Sequence, residues 1–228
     1  MNTKVLNFIK AFVTYFLLTL GAAVVVVPLF WMVSTSLKGP DALFTYPPEW
    51  IPRPPVWRNY IEAWKVLPFG RFLWNTLFIT ILAMVAELLT TSLVAFGFAR
   101  FQFKGRNVLF FILLSTMMLP GVVTMIPSFL LWSKLGQVDT FDPLTIGAWF
   151  AWGPAYIFMM RQFFLTIPRE MEEAALIDGA NVFQIYWHIM LPLIRPALLA
   201  IGVLSFQGNW NNFQAPLIYL NSMEKFPM

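Results

Sequence analysis

Five long stretches of the chain are almost free of charge, and this constrains the fold more than any other feature. Residues 11–37, 107–133 and 196–223 carry no charged side chain, 72–99 carry only Glu87, and 143–160 run uncharged to Arg161. A membrane-spanning helix needs about 20 consecutive apolar residues, and within the hydrocarbon only helices and closed barrels satisfy their own backbone. All but the window at 143–160 exceed that length, and that one reaches it with the flank QFFLTI beyond Arg161. The pattern predicts an all-α integral membrane protein with spans near 12–33, 72–99, 107–133, 143–165 and 196–220. The first apolar run is longer than the ~7–15 residues of a signal-peptide core and no A-x-A site follows, so it reads as a retained span.

Composition agrees. The 228 residues are 59% hydrophobic and 11% charged, with a mean hydropathy of +0.69, where a soluble domain has about 25% charged residues. There is no cysteine and only one histidine, His188, which removes disulfides and thiolate metal sites and leaves zinc chemistry almost without ligands. The net charge of +4 contains no basic run, so nucleic acid is not an expected partner. Placing the N-terminus in the cytoplasm puts Lys4, Lys10, Arg100, Lys104, Arg106, Arg161, Arg169 and Arg195 at or inside the inner boundary. The short loop RFQFKGR is wholly basic, which follows the positive-inside rule.

Between the spans, the proline-rich segment 38–71 is the one sizeable outer loop. Its WRNYIEAWKV is expected to form a short amphipathic helix, and Trp50, Trp57 and Trp64 suit either an interfacial belt or a docking surface. In the third span, Pro120, Gly121 and Pro127 interrupt the hydrogen-bond ladder and predict a kink or an unwound turn. Glu87 in mid-span is expected to face protein or water, and reads either as a protonated or hydrogen-bonded helix contact, with Thr90 and Thr91 a turn later, or as part of a substrate pathway. Gln207, Asn211 and Gln214 recur at helical spacing with Asn209 and Asn212 beside them, too many amides for a lipid-facing helix. With Trp210 they read either as interhelical hydrogen bonds or as the lining of a polar pathway suited to a polyhydroxyl solute.

The most polar patterned segment is PREMEEAALIDGANVFQIYWHIMLPLIRP. Pro168 suits a first helical turn, and Glu170, Glu172 and Glu173 sit near the positive end of that helix dipole. Gly179 is a natural stop, and a second short helix, VFQIYWHIM, follows. Two short helices meeting at Gly179 outside the bilayer, with Met171, Ala174, Ala175 and Asp178 on one face, form a knob that fits a groove on another protein. No G-x-x-x-x-G-K-[ST] or G-x-S-x-G occurs, so neither a phosphate loop nor a serine-hydrolase elbow is expected.

This segment resembles the EAA signature of binding-protein-dependent ABC importer permeases. Glu173-Ala174-Ala175, Gly179, Ile189 and Leu191-Pro192 fall at every required position, and Asp178 and Ala180 meet its fuller form. From about residue 34 onward, TSLKGPDALFTYPPEWIP, NTLFITI, AFGFARFQFKGR, MMLPGVVTMIPSFLLWSKLG and NWNNFQAPLIYL are similar to the carbohydrate branch, specifically its maltose-type second subunit. The resemblance implies a type I ABC importer transmembrane fold. Residues 1–33 would be the N-terminus and first helix, 34–71 the outer loop, and 72–228 the core with a cytoplasmic coupling segment at 166–195. It implies a second permease subunit, two ATPase subunits that carry ATP and magnesium, and an extracytoplasmic solute-binding protein. This chain would bind no cofactor and perform no chemistry; Glu173 would pair with a basic group on the ATPase and Gly179 would allow the bend. The family commonly has six spans, and the chain stops at NSMEKFPM in what should be the last outer loop, so a sixth helix is expected to be missing. A sugar is the expected solute; glycerol phosphate, amino acids or an ATP-independent channel remain the alternatives.

Overall fold

The computed structural model describes the backbone of residues 3–228 and side chains from residue 7; Met1, Asn2 and the side chain of Lys4, counted above among the inner charges, lie outside it. All regular structure among the described residues is helical. The chain forms two compact units, Met1–Pro68 and Phe69–Met228.

In the first unit, α1 (Thr3–Ser36) is a single helix that keeps Pro28 inside it and exposes nearly all of its apolar side chains. At its end the open carbonyls need partners. Asn59 supplies them, donating from Nδ2 to Ser36 O at 2.9 Å and Lys38 O at 2.8 Å. Asn59 stands on α2 (Arg58–Val66), the short helix expected from WRNYIEAWKV. The proline-rich stretch between them folds back on α1. The Trp50 ring meets Trp31 edge-on at 5.1 Å, Ser34 donates to the Trp50 carbonyl, and the buried Lys38 ammonium lies 3.9 Å over Trp31. Trp57 and Trp64 stay exposed.

The second unit is organised around α3 (Phe69–Arg100). Its buried positions include Thr76, Ile79, Thr80, Ala83, Ala86, Ser92, Ala95 and Ala99, largely small side chains that let neighbouring helices approach closely. The spans that follow are less continuous than their uncharged windows imply. Residues 107–133 form α4 (Arg106–Ser115), a tight turn at Thr116–Met118, and α5 (Gly121–Lys134), with axes 98° apart. Pro120 has no N–H and holds Leu119 extended (φ −80°, ψ 116°), whereas Pro127 sits inside α5.

Residues 143–165, read above as one span, divide into α6 (Asp142–Trp149) and α7 (Pro154–Thr166). The break is local: Ala151 has φ +53°, and Gly153 leads into Pro154 at the first helical position. Next come α8 (Glu170–Ile177) and α9 (Val182–Ile185). From α9 the helix runs through a π-helical turn at Tyr186–Met190 into α10 (Leu191–Leu193). The chain turns by 74° into α11 (Arg195–Trp210) and ends with α12 (Gln214–Tyr219). The expected span 196–220 is therefore broken at residues 211–213. Among the described residues α1 and α3 are long and apolar enough to cross a membrane unaided, and two bent pairs bring the number to four.

The core of this unit joins α3, α7, α8, α9 and α11. Ala95, Phe96, Ile157, Met160, Phe164, Ala175, Ile185, Tyr186, Met190, Ala197 and Ile201 pack together in it.

Candidate functional site

The polar segment between α7 and α11 is an elbow. Helix α8 closes with the Ala180 N–H bonded to Ala175 O at 2.9 Å and the Gly179 N–H to Leu176 O at 3.1 Å, while Gly179 takes φ +84°. This is a Schellman closure, and it needs the left-handed residue that glycine provides at least cost. Asn181 and Gln184 then start α9 with a reciprocal capping box: Asn181 Oδ1 accepts from Gln184 N at 2.9 Å, and Gln184 Oε1 accepts from Asn181 N at 2.8 Å.

The signature residues divide by direction. Glu173, Ala174, Asp178 and Gly179 are exposed. Ala175 is only 8% exposed and lies in the chain's own core, so it does not share an open face with Met171, Ala174 and Asp178 as the helical spacing suggested. Two adjacent alanines on one helix lie about 100° apart, and the inward one lets α8 seat against the core. Ala180, Ile189 and Leu191 pack against the same core, and Pro192 is half-buried. Beside the exposed Glu173 and Asp178 the elbow also presents apolar side chains outward, Leu176, Ile177, Phe183 and Trp187; Ile177 is 86% and Phe183 79% exposed.

Sequence reasoning missed the contact that ties this elbow down. Glu172, counted only as a dipole-friendly anion, places Oε1 2.6 Å from Arg100 Nε at the end of α3. Arg100 Nη2 also donates to Phe164 O at 2.7 Å and Ile167 O at 2.8 Å. Burial pushes the Glu172 carboxyl above its ordinary value, and the neighbouring Arg100 and Arg169 only partly oppose this.

The candidate pathway residues are scattered. Glu87 Oε2 accepts from Ser205 Oγ on α11 at 2.7 Å. Thr90, expected beside the carboxylate, instead donates to Ala86 O in its own helix and to Ala148 O near the end of α6. Of the amides, Gln207 and Asn209 lie on α11, Asn211 follows its end, and Gln214 begins α12, so the stripe is not one face. Much of its capacity goes to the break itself: Asn209 donates to Ser205 O, Asn211 to Gln207 O, and Asn212 accepts from Ala215 N. Trp210 and Asn211 do line a cavity of about 490 Å³, together with Phe72, Asn212, Phe213 and Phe226. Glu87, Gln207 and Gln214 do not.

A second unforeseen cluster lies between α5 and α6. Asp139 Oδ1 accepts from Asn221 N and Ser222 N, both at 2.9 Å, and its other oxygen takes the Ser222 hydroxyl and the Lys225 ammonium. These donors hold the carboxyl well below the usual carboxylate range. Asn75 on α3 adds bonds to Glu224 O and Phe226 O, which fixes the same segment.

Comparison with known proteins bears directly on this architecture. Residues 87–224 match the model for the binding-protein-dependent transport system inner membrane component. The chain is 29% identical over 219 residues to the diacetylchitobiose uptake system permease protein of Streptomyces coelicolor, covering 95% of this chain and 71% of that one. It is 30% identical to the sn-glycerol-3-phosphate transport system permease protein of Yersinia enterocolitica, covering 89% of this chain and 73% of the other. Among solved structures it superposes with TM-score 0.86 and 30% identity on a bacterial ABC transporter involved in the import of the acidic polysaccharide alginate, covering 97% of this chain and 78% of that one. The matched residues include α8, the Gly179 turn and α9, so the elbow belongs to the shared fold. The chain is a member of the binding-protein-dependent inner membrane component family, a permease subunit of an ABC importer.

Proposed function

We propose that this permease subunit carries a neutral sugar or oligosaccharide inward, and that the elbow at 168–192 is where an ATPase subunit docks. The observation that carries the docking half is the outward face of the elbow. Ile177 and Phe183 stand almost free beside the exposed Glu173, an apolar projection with an anionic edge that suits a groove rimmed by a basic group. The chain performs no chemistry in this reading; ATP and magnesium belong to the ATPase, and a second permease subunit and a solute-binding protein complete the importer. The N-terminus and the elbow then lie on the cytoplasmic side, which agrees with the basic loop between α3 and α4.

The cavity beside the α11–α12 break supports the solute class. An indole, phenyl rings and two asparagines line it, and no lysine or arginine is among its lining residues. Aromatic faces with amide donors and acceptors suit a polyhydroxyl solute, whereas a phosphate would call for a cation. Glycerol phosphate is the second reading, favoured by the Yersinia relative.

The test is reconstitution of the chain with its partner permease, ATPase and binding protein, followed by labelled-solute uptake and ATPase retention on the purified complex. Glu173→Lys and Ile177→Asp are expected to lose the ATPase without losing the folded permease, and Trp210→Ala to lower uptake while retaining it. Retention unchanged in both elbow variants would remove the docking assignment, and uptake of glycerol phosphate but no sugar would favour the second reading.

A further inference from the structure

Three helix ends meet at one side chain. Arg100 closes α3; its guanidinium donates to Phe164 O and Ile167 O, carbonyls at the end of α7, and its Nε pairs with Glu172 in the first turn of α8. Pro168 has no N–H to offer Phe164 O, which takes only the Ile167 N–H at 3.2 Å and so keeps acceptor capacity for Arg100. A planar guanidinium meets two carbonyls and a carboxylate at once, which a lysine ammonium on its flexible stem does not reproduce. The pair is well covered: the Arg100 side chain is 4% and that of Glu172 19% exposed. Buried ion pairs give little net stability, because desolvation offsets their attraction, yet removing one partner leaves an uncompensated charge. Such a pair is therefore weak evidence for stability.

Helix α8 has eight residues, and its inner face holds to the core through one small side chain, Ala175. A displacement applied to its outer face has a short polar route to the membrane core, through Glu172 and Arg100 into α3. Helix α3 is the one packed against α6, α7 and α11, so its movement reaches the cavity beside the α11–α12 break.

We propose that Arg100 and Glu172 form the strut through which movement of α8 reaches α3, making Arg100 a positioning residue for coupling, with no contact to ATPase or solute. The inference rests on the docking assignment made above. The strut keeps α8 and the end of α3 together as one rigid piece through the transport cycle.

The test uses the complete importer in proteoliposomes, with ATPase retention, ATP hydrolysis and solute moved per ATP read separately. Arg100→Lys and Glu172→Gln are expected to retain the ATPase and to hydrolyse ATP. Solute moved per ATP should fall at least about fivefold, the lower end of typical coupling between sites. The exchange Arg100→Glu with Glu172→Arg should recover part of that loss. Wild-type yield per ATP in both single variants would overturn the strut, as would loss of folded protein matched by an equal loss of hydrolysis, which marks a fold brace. Failure of the wild type itself to retain an ATPase would sink the docking assignment and the strut with it. A measurement without strut variants is independent of their folding: because the chain has no cysteine, spin labels can be placed at the exposed Gln102 and Glu170. Their separation should be the same with and without ATP; a change in it would overturn the rigid link.

Discussion

Gly153 sits where α3, α7 and α11 meet, and its replacement by alanine gives a sharp test of how tightly this junction is built. A Cβ there would lie 2.7 Å from Glu87 Oε1 and 2.8 Å from Tyr156 Cδ2, where ordinary contact begins at 3.4 Å. The backbone has φ −95° and ψ 79°, so no left-handed strain bars a side chain there. The penalty is therefore steric and falls on two side chains at once. The Tyr156 ring must swing away, and the Glu87 carboxylate must retreat while keeping its 2.7 Å bond to Ser205, itself 1% exposed. Inserting a methyl group into a well-packed core costs about 1–3 kcal/mol, and Gly153→Ala should lose that much in reversible unfolding from mixed detergent micelles. Glu87→Ala removes one of the two clashing atoms. The double variant Gly153→Ala/Glu87→Ala should thus be less destabilised than the sum of the singles, by at least about 0.5 kcal/mol. A Gly153→Ala protein within about 0.5 kcal/mol of wild type, or strict additivity in the double variant, would refute this account of the junction.

Ala175→Leu should destabilise by about 1–3 kcal/mol because its site is filled, and Ala174→Leu by less than about 0.5 kcal/mol because its site is open; thermal unfolding of the two side by side reads the difference. Gly179→Ala places a side chain at φ +84° with no neighbour within 4 Å, so only the left-handed backbone resists it. The cost is about 1 kcal/mol, seen as roughly fivefold faster exchange of the Ala180 amide if local opening controls it. The Asp139 carboxyl titrates below its ordinary 3.8, so its contribution is present above that value and is lost only as pH falls through the depressed one. Exchange protection of the Asn221 and Ser222 amides, corrected for intrinsic rate, should therefore persist at about pH 3.5 in the wild type, and in Asp139→Asn, which keeps one acceptor oxygen and loses the charge, should be weaker and independent of pH.

Composition and local spacing made several features legible. The uncharged windows marked where the apolar helices lie, because a charge in hydrocarbon is costly wherever the neighbouring helices happen to be. Gly179 and Pro120 marked turns because their backbone chemistry acts within a residue or two of itself. The break at Gly153-Pro154 carried a comparable signal, and the length of the surrounding apolar window obscured it. A hydropathy window reports avoidance of water, and a broken helix packed against protein avoids water as well as a straight one. The same limit applies to the amide-rich stretch, where regular spacing suggested one helical face and the chain instead uses Asn209, Asn211 and Asn212 to satisfy a helix break.

By itself, then, the sequence determined that this is a helical membrane protein and where its elbow bends, since both rest on local chemistry: transfer of side chains out of water and the torsional freedom of single residues. Only the tertiary structure decided that Ala175 turns inward while Ala174 does not, that Glu172 finds Arg100, and that Asp139 gathers the segment around Ser222. Each of these depends on how separate helices are rotated and stacked. That rotation is set by the collective packing of small residues along α3, which no spacing within a single segment encodes.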